Sequence, residues 1–555
     1  MAVTGLGCAI GPDPHSPGWV RRTAEAMRRR ELGAAALGGM IARPAATQTR
    51  AESLRVLSQA GPNSFDPIGL GVNRNAIGVH WNCYDRLVRF GTRQGPDGTP
   101  HYDYYRIEPE LAERFEVSED GCVIIFHLRR DATFHDGAPV TAEDVKWSLD
   151  RVVSSPNGRS QFATGSMTDP AQFTVLDPHT VRVTVPRADR FTLPNLAATF
   201  GVIVNSRLVR ERTGAGDPWG AEYLRTNVAG GGAFRLESQV PGQSVTLARF
   251  DNWKSGPLPG FRRVLWQVVP SGQTRRASLE RGDADIVQDL TPVDAVSMAA
   301  ANLPNARVLG VPMSGTFQFI GMNGTTAPFN DVRVRRAVAH ALPYQQMFEA
   351  ALFGRGRPLF GGVADRADGI EFPQPLGTVT DPARARALLA EAGLPNGFET
   401  TFAFELSLAP VAEPVSLLVQ EALGRVGIRV TINKVPAGQL GTLLERRDVP
   451  FFFEGSSAFL DDPDYFFGIF YHGPTRWNFG SYANPEFAAL VDRTRFETDR
   501  AAYERDVARM IQLAKHDLPI ILLWQPALDT GLLRSVDGYK YMFHRQLELR
   551  TLRRV

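Results

Sequence analysis

"DPARARALLAEAGLPNGFETTFAFEL" (residues 381–406) and "PVSLLVQEALGRVGIRVTINKV" (residues 414–435) decide the fold class. Each opens with apolar residues at helical spacing, reaches a glycine, and continues as a short strand-like run. Glycine after the last periodic residue ends a helix because it enters the left-handed region without a Cβ penalty. Two successive helix–glycine–strand units call for parallel strands covered by helices, so the chain reads as α/β.

The same pattern extends in both directions. Downstream lie a helix at about 498–516 and the apolar strand "LPIILLW" (518–524). Upstream, "DVRVRRAVAHALPYQQMFEAALFG" (331–354) reads as a helix pair and "GTFQFIGMN" (315–323) as a strand. "SGQTRRASLERGDADIVQDL" (271–290) reads as a helix ending at Gly282, then a short strand. "GCVIIFHLRR" (121–130) alternates like a strand, and "FTVLDPHTVRVTV" (173–185) is a hairpin around Asp177-Pro178. In "TAEDVKWSLDRVV" (141–153), Thr141 precedes two acids and an apolar face, a well-signalled N-cap. "NAIGVHWNCYDRLVRF" (75–90) has helical spacing that would place Ile77, Trp81, Tyr84, Leu87 and Val88 on one face. "VAGGGAF" (228–234) precedes a strand rather than a helix, which favours a turn or lobe edge over a phosphate cradle.

At 555 residues the chain exceeds what one hydrophobic core can fill, so two or more lobes are expected. Apolar residues make up 43% and charged residues 22%, the balance of a soluble globular protein. The net charge is +2 and the only basic tract is N-terminal, which excludes a nucleic-acid surface on compositional grounds. With no flexible linker in view, the chain is expected to cross between lobes on ordered strands, an arrangement that favours a hinge and a cleft.

The N-terminus differs from the rest. "MRRRELGAAALGGMIARPAATQT" begins at Met27 with three arginines, a short run of small apolar residues and Pro-Ala-Ala. It resembles a bacterial export signal of the twin-arginine type, and its apolar run is too short to span a bilayer. Residues 1–46 therefore read as an N-terminal extension and export signal; either Met27 is the true start or residues 1–26 form a disordered arm. Cys83 and Cys122 lack a CxxC partner or clustered histidines, so no metal site is expected; free thiols and a disulfide both remain open.

Catalytic signatures are missing: no G-x-S-x-G elbow, no H-E-x-x-H, no phosphate loop and no dinucleotide fingerprint. No catalytic residue, cofactor or metal is expected. His127 and His135 read as structural. The densest unexplained stretch is "FFFEGSSAFLDDPDYFFGIFY" (451–471), nine aromatics and four acids in twenty-one positions. Residues 451–453 form an apolar strand and Asp462-Pro463-Asp464 a capped helix start. Phe459 and Asp461 lie between the two.

Several segments together resemble the family 5 solute-binding proteins of ABC importers, the dipeptide-, oligopeptide- and nickel-binding group. They include "YDRLV" (84–88), the block "PELAERFEVSEDGCVIIFHLRRDATFHDGAPVTAEDVKWSLDR" (109–151), "RFDNW" (249–253), "LERGDADI" (279–286), "GMNGTTAPFNDVRVRRAVAHAL" (321–342) and "DPDYFFGIF" (462–470). The resemblance implies a two-lobed periplasmic-binding-protein fold, class II-like, with an extra subdomain in lobe I and a hinge between lobes. Lobe I would span about 52–312 and the returning segment 522–555, and lobe II about 313–521. It also implies a periplasmic, monomeric, non-enzymatic receptor that encloses a small solute and presents it to an ABC permease and its ATPases. Two other readings stay open: a sensory or chaperone-like binding protein uncoupled from transport, and a periplasmic hydrolase.

In peptide-binding members of that family, an Asp three residues before the counterpart of Asp462 pairs with the ligand's α-ammonium. Here that position is Phe459, whose ring supplies no charge to offset desolvation of an ammonium. The resemblance therefore points to an aromatic-walled pocket for a less polar or differently charged solute. Candidate ligand-binding residues are Phe459, Asp461, Trp477, Asn478, Phe479, Asn323 and Trp524, with Phe65 and Trp81 from lobe I.

Overall fold

The computed structural model of the protein describes residues 50–95, 98–361, 369–436, 438–473 and 477–555. The export-signal reading of residues 1–46 falls outside them.

The two helix–glycine–strand units take their expected form. Helices Pro382–Glu391 and Ala409–Gly424 bury apolar stripes, and strands Glu399–Glu405 and Arg429–Val435 pair in parallel. Asp381 caps the first helix, its Oδ1 accepting from Arg384 N at 2.9 Å, with Pro382 preset at the first position. Gly393 and Gly427, with φ of +80° and +94°, turn the chain from helix into strand. Phe451–Ser457 then pairs in parallel with Glu399–Glu405 and antiparallel with Thr316–Met322. Its first three phenylalanines are fully buried, as expected of a strand covered on both faces.

One strand unites the molecule. Ile520–Leu533 is buried along nearly its whole length. Its first part pairs antiparallel with Thr316–Met322, its second with Ala306–Pro312 and Ile286–Val287. The sheet continues through Ser53–Ser58, Arg263–Val268, Ser244–Arg249 and Phe234–Val240, twelve strands in all among the described residues. Pro526 sits where the ladder with Thr316–Met322 ends at Gln318↔Trp524 and that with Ala306–Pro312 begins at Pro312↔Ala527, while on the other edge it stands opposite Gly356 of the short strand Gly356–Pro358. The chain thus passes between the two halves of the sheet on hydrogen-bonded strands.

A separate antiparallel sheet in the first half orders strands Ala112–Val117, Val123–Leu128, Thr180–Thr184 and Phe173–Asp177. The last two are the expected hairpin. Helix Ala142–Ser154 is capped at Thr141, whose N–H and hydroxyl both donate to Asp144 Oδ2, at 3.0 and 2.8 Å. One hydrophobic core cluster draws only on residues between Ile320 and Trp524; a larger one runs from Leu54 to Leu552 and takes in residues of both halves of the chain.

The helix anticipated over 75–90 is shorter. It spans Arg74–Cys83; Tyr84 has extended backbone, and Val88 already belongs to strand Val88–Gln94. The chain leaves the helix because Arg86 is drawn into a fully buried pair with Glu110, its N–H donating to Oε2 at 3.1 Å and Nη2 to Oε1 at 2.8 Å. Cys83 and Cys122 are both free thiols, the first buried and the second partly exposed.

Candidate functional site

A cavity of about 520 Å³ lies between the lobes. The first lobe supplies the loop before helix Arg74–Cys83, the start of that helix, Phe200 and His544. From the second lobe come the end of strand Phe451–Ser457, then Phe459, Phe470 and Trp477. Its volume suits a small organic molecule. A larger hollow of about 740 Å³, around Arg447, Tyr471, Tyr482 and Phe487, is lined by the second lobe alone, so lobe closure would not enclose a molecule there.

Local sequence explains the cavity's second-lobe wall. Gly455-Ser456-Ser457 ends the strand with small residues that leave room. Asp462 then starts helix Pro463–Phe466, its Oδ1 accepting from Asp464 N at 2.9 Å, and the helix continues as a wider π-turn over Phe467–Tyr471. Between these elements Phe459 projects toward the first lobe. It stacks on His544 with ring centroids 4.3 Å apart and meets Phe200 edge-on at 5.2 Å.

Polar contacts close the lobes around this cavity. Arg74 Nη2 donates to Ser457 Oγ at 3.0 Å, and Tyr465 Oη to Gln161 Oε1 at 3.0 Å. Tyr102 Oη donates to Asp461 Oδ2 at 3.1 Å and lies 2.9 Å from Ser314 Oγ. Arg190 Nη2 approaches Asp464 Oδ2 at 3.3 Å and Asp462 Oδ1 at 3.6 Å. Burial pushes the Asp461 carboxyl up to about 6 against the Tyr102 hydrogen bond, and burial with the neighbouring Asp462 pushes Asp464 up to about 7.

Of the nine sequence candidates, Phe459 and Trp477 line the cavity. Asp461 sits beside it at the lobe junction, engaged by Tyr102. The other six are placed elsewhere. Asn323 is buried, with Oδ1 accepting from Thr325 and Nδ2 donating to Arg447 O. Asn478 braces its own loop through Gly473 O, Tyr482 O and Tyr482 N. Phe479 packs beneath Trp477 against Phe452. Trp524 donates to Gln318 within the core. Phe65 is core. Trp81 lies under the Arg86 guanidinium, 3.8 Å from ring centroid to carbon, and donates to Glu548 Oε2 at 3.0 Å. Each has its polar or apolar needs met by protein neighbours away from the cavity.

Arg74, Ser456 and His544 are cavity residues that the sequence reading missed. Arg74 is one of many arginines in the chain and carries no local signal of its role. His544 lies 470 residues further on and reaches the site only through the return of the C-terminus to the first lobe. No His, Cys, Asp or Glu cluster able to hold a metal occurs among the described residues.

Two lobes on a shared sheet with a cavity walled by both are the geometry of the two-lobed periplasmic binding proteins. Comparison with known proteins is consistent with that geometry. Residues 106–478 match the bacterial extracellular solute-binding proteins, family 5, and the chain belongs to this family. The glutathione-binding protein GsiB of Pectobacterium atrosepticum is 28% identical over 444 residues, covering 78% of this chain and 83% of the relative. The dipeptide-binding protein of Escherichia coli is 25% identical over 540 residues, covering 90% and 94%. Among solved structures, the ABC transporter-associated periplasmic binding protein DppA of Helicobacter pylori, in complex with the peptide STSA, superposes with a TM-score of 0.74 at 22% identity, covering 90% of this chain and 98% of that one. The protein is a solute-binding protein.

Proposed function

We propose that the protein captures a small solute in the 520 Å³ cavity, closes over it, and delivers it to an ABC permease in the inner membrane without chemically changing it. The observation that carries this reading is that both lobes wall the cavity while the chain passes between them on strand Ile520–Leu533 and through the turn at 313–315, which joins two strands paired to it. A solute that touches both lobes only when they are shut has differential affinity for the closed form, and that difference shifts the open–closed equilibrium. Met313-Ser314-Gly315 and the stretch around Pro526 would form the hinge: Gly315 has φ +66°, and Met313 N donates to Pro526 O at 3.0 Å. Lobe I would comprise residues 52–312 and 522–555, lobe II residues 313–521.

Phe459 and Trp477 are the sequence candidates that would touch the solute. Named relatives bind dipeptides or glutathione; Phe459 argues against ordinary peptides with a free ammonium here, since an aromatic ring offers that group no charge partner. The protein would work in the periplasm after export through the arginines at 28–30.

The test is mass spectrometry of molecules released from the purified protein, followed by a thermal-shift assay with each released compound. A true cargo at a hundred times its dissociation constant adds roughly 2.7 kcal/mol. Recovery of turnover products from a hydrolase substrate panel, with no stabilising cargo, would overturn the receptor reading.

A further inference from the structure

The cavity between the lobes carries formal charge of one sign. Arg74, the first residue of helix Arg74–Cys83, donates from Nη2 to Ser457 Oγ at 3.0 Å and from Nη1 to His544 Nδ1 at 3.2 Å. His544 Nε2 lies 2.8 Å from Ala458 O. A carbonyl only accepts, so Nε2 carries the ring proton and Nδ1 is the lone pair that receives Arg74. His544 is thereby held neutral, and Arg74 is the formal charge of the wall. None of the described lining residues is Asp or Glu.

Three further observations concern the same cavity. The ten-residue helix begins in it, so the positive end of the helix dipole adds to Arg74. His544 holds φ 55° and ψ 20°, a left-handed conformation that a non-glycine residue keeps only where its surroundings impose it. Ser456 is 5% exposed, lines the cavity, and its Oγ has no hydrogen-bond partner among the described residues. A buried hydroxyl left unpaired is costly, so this one is built to meet a polar group inside the cavity. The same cavity is lined by the rings of Phe459, Phe200 and Trp477, with Phe459 stacked on His544.

Building on the reading of the cleft as the solute site, we propose that the solute is an organic carboxylate with an aromatic or apolar body and no free ammonium group. Its carboxylate pairs with the Arg74 guanidinium and accepts from Ser456 Oγ, while its body lies against Phe459, Phe200 and Trp477. A guanidinium offers a planar donor fork that suits a carboxylate. An ammonium in the same cavity would be desolvated next to a like charge with no carboxylate to receive it.

Matched probes separate the charge requirement from the shape requirement. Calorimetry would compare N-acetyl-phenylalanine, N-acetyl-phenylalanine amide and phenylalanine amide, and the same three end-group variants of phenylalanyl-leucine. The carboxylate forms should bind, and the amidated and ammonium-bearing forms should bind about tenfold or more weakly. Arg74→Gln should remove the preference for the carboxylate, Arg74→Lys should keep part of it, and Ser456→Ala should weaken binding with little change in melting temperature. Preference for an ammonium form, carboxylate binding that survives Arg74→Gln in a protein of unchanged melting temperature, or no binding of any carboxylate probe at millimolar concentration would each overturn the proposal. A cationic cargo that closes the lobes in solution scattering would overturn the anion assignment and leave the receptor reading intact. Failure of all solutes, including extracted cargo, to close the lobes would remove the reading itself.

Discussion

Glu110 shows how single residues hold the first lobe together. It is fully buried and receives both Arg86 and Arg550, the latter at 2.5 Å. Arg86 is itself fully buried and stacked on Trp81, so truncating its partner strands a charge in the core. Glu110→Ala should cost about 3–5 kcal/mol, read from the urea midpoint. Phe459 presents the opposite case, being half-buried and packed on the other lobe. Phe459→Ala should weaken solute binding by more than it lowers the melting temperature of the cargo-free protein; an equal loss in both would make it a core residue. Phe459 and Trp477 were legible in the sequence as aromatics in loops, although loop position alone does not separate them from Phe65 and Phe479, which are buried. Arg74, Ser456 and His544 were not, because their significance lies in a convergence across the whole chain that no local pattern encodes.

Elements were legible where a local rule and the tertiary context agree. The caps at Thr141, Asp381 and Asp462, the glycine exits at Gly393 and Gly427, and the hairpin at Asp177-Pro178 are satisfied by atoms a few residues away. The helix at Arg74–Cys83 was read as longer because Leu87 and Val88 continue its apolar period; the buried Arg86–Glu110 pair, made across 24 residues, overrides that period. The glycine-rich segment 228–234 reads as a turn or lobe edge, and the structure adds close packing as its reason: a Cβ on Gly230 would stand 2.0 Å from Cys83 O at the end of that same helix. Gly230→Ala should therefore destabilise by about 1–3 kcal/mol, measured by thermal unfolding, although the site is remote from the cleft.

At the scale of the molecule, buried carboxylates give stability a pH dependence with a defined sign. Burial raises Asp85 and Asp461 to about 6 and Glu454 and Asp464 to about 7. Groups raised in the folded state hold protons that the unfolded chain releases, so their contribution is complete below the ordinary carboxylate range and is lost as pH rises through 6 and 7. His80 and His135, lowered to about 4 by burial, act in the other direction below pH 6.5, where the unfolded chain takes up protons that they refuse. Between about pH 6 and 4 the four carboxylates outnumber the two histidines, so the melting temperature should rise from pH 8 through pH 6 and more gently below 6.5. It should turn down only near pH 4 and below, where Glu548, lowered to about 2, resists protonation in the fold. Asp464→Asn should flatten the limb between 8 and 6. A limb unchanged in that variant would place the proton elsewhere.

The central claim is that the two lobes shut on an unmodified small molecule. Small-angle scattering of the protein, first stripped of cargo by unfolding and refolding and then resupplied with cargo extracted from the native preparation, tests it most directly. A smaller radius of gyration is expected with cargo bound. Superimposable profiles, with binding verified by calorimetry on the same samples, would contradict it.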